Sequence, residues 1–370
     1  EQSHRNINIT LKTFENEKET VSVYIFRVDR DRLSLYLPLS RFIVNLIAVY
    51  SQSSGRSLLT LASQADFGVE FDRVYVDMYF DQFMKLASLL SQARAQLWSQ
   101  QSNKNLTDFI ETYESMDWYL KWRSDDIGGL YQALEWFSPS HFISRLLYFY
   151  QLHDWFVSTP VLAVTPQSVM EAELVDKFES GWMQWNSTDR TLLMVEELFS
   201  CLIQLVTEPT FRVWRSIQND DNDKWIEYDL IHWLALDSSD YRELHKKLCA
   251  SQQHIDDTAA LKRVADYEPP QQTKGAKYYL KSELWPRVNP YFHKYKVDVR
   301  RKIINLKRNK GLSLQLTFEH CDANRIALLG TSWMAIMWTC ILHHVFVNDI
   351  KRFTQSIFIQ CLQLIDLAVQ

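Results

Sequence analysis

A chain of 370 residues, 46% hydrophobic and 23% charged, is long enough for two or three domains and apolar enough to bury a sizeable core. Its 8 Gly and 9 Pro, set among runs of Leu, Phe, Tyr and Trp, favour long helices over a sandwich or a doubly wound sheet. A net charge of −5 gives no electrostatic case for nucleic acid or an anionic membrane surface, and no CxxC or zinc-ligand spacing occurs among Cys201, Cys249, Cys321, Cys340 and Cys361.

Three alternating runs, Ile7/Ile9/Leu11, Val21/Val23/Ile25 and Leu33/Leu35/Leu37, open the chain. Period-two alternation predicts half-buried strands in a small meander, ended by Pro38. Leu39 to Tyr50 turns helical, with Phe42, Leu46 and Val49 on one face. From Glu70 to Gln100 the residues Val76, Phe80, Phe83, Leu86, Leu90 and Leu97 predict another helix. Ser99 to Lys104 is a polar loop, and two weaker helices precede Gly128-Gly129.

Ser138-Pro139 is a helix start, with a hydroxyl at the cap and Pro where no amide donor is needed. The helix it opens, His141 to Phe156, would bury Phe142, Leu146, Phe149 and Leu152. Thr165-Pro166 repeats the device for a helix presenting Met170, Leu174 and Phe178. Asn186-Ser187 begins a long helix with Leu192, Val195, Phe199, Leu202 and Val206 on one stripe, stopped by Pro209. Apolar stripes at this spacing are core rather than cofactor surfaces.

Asn219 to Asp223 is an acidic break, and the rhythm changes beyond it. Trp225 to Leu236 is a short helix, and Ser239-Asp240 caps a second with Tyr241, Leu244 and Leu248 inward. Asp256-Asp257-Thr258 starts a third, with Leu261, Val264 and Ala265 inward. Pro269-Pro270 and Gly275 lead to a strand, Lys277 to Leu280, a turn and the Leu284-Trp285-Pro286 break. Three short helices followed by a strand pair outline a winged helix.

A basic helix then runs from Asn289 to about Lys310, carrying Lys294, Lys296, Arg300, Arg301, Lys302, Lys307 and Arg308. Two apolar helices close the chain, Ala323 to Phe346 and Asp349 to Val369. The apolar segment Ile326 to Val347 is broken by Thr331, Ser332 and His343-His344, which predicts a buried helix rather than a membrane span. The expected fold is mainly α: a multi-helical scaffold with a small N-terminal β meander and an embedded winged-helix domain. The expected divisions are 1–60 (strands and first helix), 61–218 (helical scaffold), 219–288 (winged helix) and 289–370 (basic and C-terminal helices). The thiols read as reduced core residues of an intracellular protein, and the sequons at Asn8, Asn105 and Asn186 as accidental. With neither an initiator Met nor a signal peptide, the chain reads as a piece of something larger.

No catalytic, cofactor-binding or metal-binding residue can be assigned. His141 and His153 are not a ligand set, and the adjacent His343 and His344 point to different sides of a helix. Glu196-Glu197 sits on the polar side of its helix and reads as solvated. Winged helices often dock their third helix in a DNA groove. Here that stretch carries Asp256, Asp257, Asp266 and Glu268 against Lys262 and Arg263, which phosphates would repel. A basic face over Lys294 to Lys310 fits either an acidic partner or solvent. A nucleic-acid-associated winged helix and a helical adaptor both remain open on residues alone.

Three pieces, in order, resemble the middle region of the UBR-type N-recognins, the N-degron ubiquitin ligases. Leu35-Tyr36-Leu37-Pro38-Leu39-Ser40-Arg41 is similar to their "HLPLSR" turn, and Ser138-Pro139-Ser140-His141-Phe142 to their "DPNHF" helix start. Tyr278, Leu280, Lys281 and Glu283 resemble "G-x-Y-x-L-K-x-E", with Gly275 one residue further upstream than the pattern has it. Tyr291, Phe292 and Tyr295 match the family's "YFYHY" at three of its positions, and Leu97-Trp98 falls where the family has a Leu/Met-Trp pair. After Tyr295 the chain departs from the family, with Lys296-Val297-Asp298-Val299 in place of "S-K-A-E" and a Pro-rich linker; a divergent fungal member or a paralogue is implied. The resemblance implies a non-catalytic segment of a RING-type ligase, lying between the substrate-reading zinc domains and the RING. It implies a ubiquitin-conjugating enzyme and degron-bearing substrates as partners of the parent protein. Zinc is implied in the parent's UBR box and RING, with no cofactor in this chain, no nucleic acid and no membrane. A cytoplasmic location, extending to the nucleus, completes the expectation.

Overall fold

The computed structural model of the protein describes residues 9–16, 19–26, 38–63, 73–94, 117–157, 188–208, 222–237, 239–249, 258–270, 276–295, 297–316, 323–349 and 351–370. They are mainly helical, with two small antiparallel sheets. The chain divides into two compact units. The first takes residues 1–101, 129–201 and 323–369; the second takes 102–128, 202–322 and Gln370. Among the described residues no helix is long and apolar enough to cross a membrane.

In the first unit the strands β1 (Ile9–Asn16) and β2 (Glu19–Phe26) pair antiparallel, Ile9 opposite Phe26 and Asn16 opposite Glu19. They are the first two strands of the expected meander; Leu33/Leu35/Leu37 lies outside the described residues. Helix α1 (Pro38–Ser54) begins at the Pro, where a missing amide costs nothing. It buries Val44, Ile47 and Ala48 and packs against α3 (Arg73–Arg94), after the short α2 (Leu58–Ser63). Its other apolar face, with Phe42, Leu46 and Val49, is open to solvent.

Helix α3 buries Val76, Phe80, Phe83, Leu86 and Leu90, the spacing read from sequence. Helix α4 (Asp117–Trp136) corrects the expectation of helices ending before Gly128-Gly129, because it runs straight through them. A Cβ at Gly129 would stand 2.5 Å from the Phe83 ring, so this glycine serves close packing rather than chain reversal.

Ser138 caps α5 (Pro139–Tyr150), its hydroxyl accepting from the His141 amide at 3.4 Å. The helix stops earlier than expected. Gln151 turns left-handed (φ 56°) and its N–H closes on the Leu147 and Tyr148 carbonyls, so Leu152 is buried from a turn and α6 (His153–Val157) starts afresh. Phe149, expected in the core, is half-buried. Beneath this turn Arg145 holds both Asp81 oxygens, at 2.8 and 2.7 Å, and reaches Asp77 at 3.2 Å; Trp136 donates to Asp77 at 2.7 Å. Burial pushes the Asp81 carboxyl up to about 7 against the pull of Arg145, and Asp77 acts with burial.

The Thr165-Pro166 helix lies outside the described residues. Helix α7 (Thr188–Thr207) buries Leu192, Val195, Phe199, Leu202 and Val206, as its stripe predicts.

In the second unit come α8 (Asn222–Leu236), α9 (Tyr241–Cys249), α10 (Thr258–Val264), β3 (Ala265–Glu268) and β4 (Lys277–Leu280). A 3-10 turn, Ser282–Arg287, and α11 (Val297–Asn309) follow. Ala265 faces inward from a strand instead of extending the helix, and the long basic helix starts at Val297 rather than Asn289. Residues Asn289 to Tyr295 form buried turns instead.

The closing segment of the first unit holds α12 (Ala323–Leu329), α13 (Ser332–Phe346) and α14 (Gln355–Val369). The expected single helix from Ala323 to Phe346 is therefore two. Thr331 donates to the Leu328 carbonyl at 2.9 Å and accepts from the Met334 amide at 3.4 Å, ending one helix and capping the next.

Candidate functional site

The winged-helix unit is built on one core. Leu230, Ile231 and Leu234 of α8 meet Leu244 and Leu248 of α9, and Leu261 and Val264 of α10. Tyr241, expected inward on α9, is the first residue of its helix, 41% exposed, and stacks on His245. Asp240 rather than Ser239 makes the cap, accepting from the Glu243 amide at 2.8 Å. Ser239 instead pairs with Tyr278 through both backbone groups, at 3.2 and 3.0 Å, and so joins β4 on the side away from β3.

The same core takes in Val288, Phe292, Tyr295 and Ile303, so the packing runs on past the division expected at 288. Phe292 is its aromatic centre. Its ring stacks on His232 (4.4 Å between centroids) and meets Tyr228 and Tyr295 edge-on at 5.7 and 5.0 Å. The fully buried His232 ring donates from Nδ1 to the Tyr228 carbonyl at 2.7 Å and accepts from the Asn289 amide at Nε2, 2.9 Å away. Burial pushes this imidazole down to about 3, so at neutral pH it is the uncharged tautomer that those two bonds require. The Tyr295 hydroxyl donates to the His232 carbonyl.

A second polar layer ties residues at the end of α7 to this core. Asn289 donates to the Thr207 hydroxyl at 3.0 Å, Tyr228 donates to Glu208 at 3.1 Å, and His293 Nδ1 lies 3.1 Å from the other Glu208 oxygen. Glu208 is fully buried, and burial holds its carboxyl well above the ordinary range. Lys294 binds Asp229 at 2.5 Å, and Lys307 donates to the Pro286 and Val288 carbonyls at 3.3 and 2.9 Å. Each of these groups fixes a chain crossing. Among the described residues no nucleophile, base and oxyanion donors converge.

The basic stretch therefore divides. Lys294, Arg300 and Lys307 are buried and engaged, Arg300 over the Tyr291 ring at 4.8 Å, while Arg301, Lys302 and Arg308 are exposed. On α10 Lys262 and Arg263 are exposed and Arg263 pairs with Glu227; Asp266 and Glu268 lie on β3, not on that helix. Asp266 and Glu268 thus do not share a helix with Lys262 and Arg263.

In the first unit His153 abuts Trp333 and Asp154, whereas the buried His344 ring lies near Trp155 and Asp349. Glu196 and Glu197 are not a solvated pair: Glu196 accepts from Ser356 at 2.7 Å and Glu197 is 8% exposed. Cys201, Cys340 and Cys361 are free thiols, and burial pushes Cys361 up to about 12. Among the described residues no group of three or more His, Cys, Asp or Glu could hold a metal ion.

The fold defines a winged-helix domain set in a mainly helical protein. Residues 225–311 match the family model of the E3 ubiquitin-protein ligase UBR1-like winged-helix domain. The chain is similar to human E3 ubiquitin-protein ligase UBR2, at 21% identity over 98% of this chain and 20% of that protein. It is likewise similar to human E3 ubiquitin-protein ligase UBR1, at 21% identity over 76% of this chain and 14% of that protein. The chain is thus related to the middle region of the UBR-family ubiquitin ligases, and it spans about a fifth of the length of UBR2.

The residues that carried the resemblance have structural work. Tyr291, Phe292 and Tyr295 are core, and Leu280 is buried. Lys281 donates to the Lys262 and Arg263 carbonyls at 3.1 and 2.9 Å, closing the C-terminal end of α10. His232 and Glu208, the polar centre of the joint, carried no signal in the sequence beyond lying near apolar residues.

Proposed function

We propose that this chain is a non-catalytic scaffold segment of a RING-type N-degron ubiquitin ligase. It positions the parent's substrate-recognition modules relative to the RING and its ubiquitin-conjugating enzyme, for substrate ubiquitination and proteasomal degradation. One observation carries the reading: a UBR1-like winged helix lies inside a similarity to UBR2 that covers 98% of the chain. A polar network that joins chain segments agrees with a scaffold role. Zinc belongs to the parent's UBR box and RING in this reading, and the donors described here do not fit a metal site. The partners are a conjugating enzyme and degron-bearing substrates, met through the parent protein in the cytoplasm. Sequencing the full transcript tests it. The reading expects a Cys/His-dense module on each side of these residues, and finding neither contradicts it.

A further inference from the structure

Asp81 of α3 is wholly buried, and its two oxygens accept from a single nitrogen, Nη1 of Arg145 on α5, at 2.8 and 2.7 Å. Nη2 of the same guanidinium reaches Asp77, one turn earlier on α3, at 3.2 Å. Asp77 also accepts from the Trp136 indole N–H at the end of α4, at 2.7 Å, and Trp136 is itself buried. Asp81 therefore shares its cation with a second carboxylate, away from water. Carboxylates so placed repel each other, and a proton on one of them relieves the excess charge.

The cluster has two states. With Asp81 ionised, both of its oxygens hold Nη1 and tie α3 to α5. With Asp81 protonated, the oxygen that carries the hydrogen turns from acceptor to donor. One oxygen then keeps Nη1, and the guanidinium is drawn to Asp77, which remains charged. The bond from Trp136 to Asp77 registers the difference. Burial holds the Asp81 carboxyl up at about 7, opposed by Arg145 and helped by Asp77, so both states are populated at neutral pH. The Tyr148 hydroxyl of α5 also feels Asp81, but burial pushes it far above neutral and it keeps its proton throughout. Among the described residues these are the titratable groups that act on Asp81. The sign follows: the clasp gives stability that is full below about 3.9, where an unfolded aspartate titrates, and is lost as pH rises through about 7.

We propose that Asp77, Asp81 and Arg145 form a proton-operated clasp between α3 and α5, in which Asp81 takes a proton from solvent, trades a two-oxygen grip on Arg145 for a one-oxygen grip, and shifts the guanidinium toward Asp77. The clasp does not depend on the reading of the chain as a ligase segment. Fluorine NMR tests it in the 370-residue chain carrying 5-fluorotryptophan, with the Trp136 signal assigned through Trp136→Phe. That signal should follow one titration with its midpoint near 7. Asp81→Asn fixes an uncharged side chain and should hold the signal level at its acid-side position. Asp77→Asn keeps an acceptor for the indole but removes the neighbouring charge, so the midpoint should fall by about one pH step. A wild-type Trp136 signal that does not titrate overturns the proposal, whether or not the variants fold. So does a titration that persists in Asp81→Asn, or a midpoint that Asp77→Asn leaves in place.

Discussion

Replacing His232 with Gln takes a titratable group out of the winged-helix core, and the packing sets how the effect varies with pH. Burial holds the native imidazole down at about 3, helped by the charges of Lys307, Arg287 and Lys294 and opposed by the bond to the Tyr228 carbonyl. In the unfolded chain an imidazole titrates near 6.5. Below that pH the unfolded state takes up a proton that the native state refuses, so this stability is full above about 6.5 and is lost as pH falls toward 3. Each pH step in that window removes about 1.4 kcal/mol, on the order of 4–5 kcal/mol in all. Glu208 acts with the opposite sign: its raised carboxyl gives stability that is present at low pH and lost as pH rises through its folded value. The wild-type curve mixes both, and the difference between wild type and His232→Gln isolates the histidine. Urea unfolding followed by tryptophan fluorescence, stepped from about pH 4 to pH 7.5, measures that difference. It should be flat above about pH 7 and shrink by about 1.4 kcal/mol per pH step below about pH 6. Parallel curves throughout would show that His232 is protonated in the fold or open to water, and would refute the reasoning.

Three further substitutions probe the first unit. Phe199 is fully buried and stacked on Phe156, so Phe199→Ala should cost about 3–5 kcal/mol in urea unfolding; a loss under about 1 kcal/mol would mean that the helix face is misassigned. Gly129→Ala gains about 1 kcal/mol of helix propensity but drives a methyl into the buried Phe83 ring, and net destabilisation of about 1–2 kcal/mol is expected. A stabilised variant would deny the close approach. Arg145→Leu leaves Asp77 and Asp81 facing each other without their cation and should cost about 3–5 kcal/mol at neutral pH by thermal or urea unfolding. Asp81 takes up its proton near pH 7 and holds it more tightly still without Arg145, so the loss should grow as pH rises above about 7 and be level in acid. A loss that does not change across neutral to alkaline pH would point to packing alone.

Helical stripes were legible because burial and period coincide. Leu192, Val195, Phe199, Leu202 and Val206 share one side of α7, and no loop chemistry competes with them. The Ser138-Pro139 start was legible for the same reason, since cap and proline act within one turn. Breaks made by tertiary contacts were not. Gln151 turns left-handed without a glycine to announce it, and Gly129 looks like a stop although it marks a close approach to Phe83. Strand β3 was hidden because Val264 and Ala265 continue the inward pattern of α10, and only pairing with Lys277–Leu280 makes it a strand. The basic run misled in a related way. Charge along a sequence does not reveal that Lys294 and Lys307 spend their ammonium groups on Asp229 and on backbone carbonyls inside the fold. As for the joint, Phe292 and Tyr295 were visible through the family resemblance, whereas Glu208 lies 85 residues upstream of His293 and only the fold brings them together.

The scaffold account is tested most directly in the full-length parent carrying Phe292→Ala, which removes the aromatic centre of the winged-helix core. Two rates are measured: discharge of ubiquitin from the conjugating enzyme to free lysine, which needs no substrate positioning, and ubiquitination of a degron-bearing substrate. The account predicts that discharge is retained while substrate ubiquitination falls at least tenfold. Both rates unchanged, with the winged-helix core shown to be unfolded by hydrogen exchange, would contradict it.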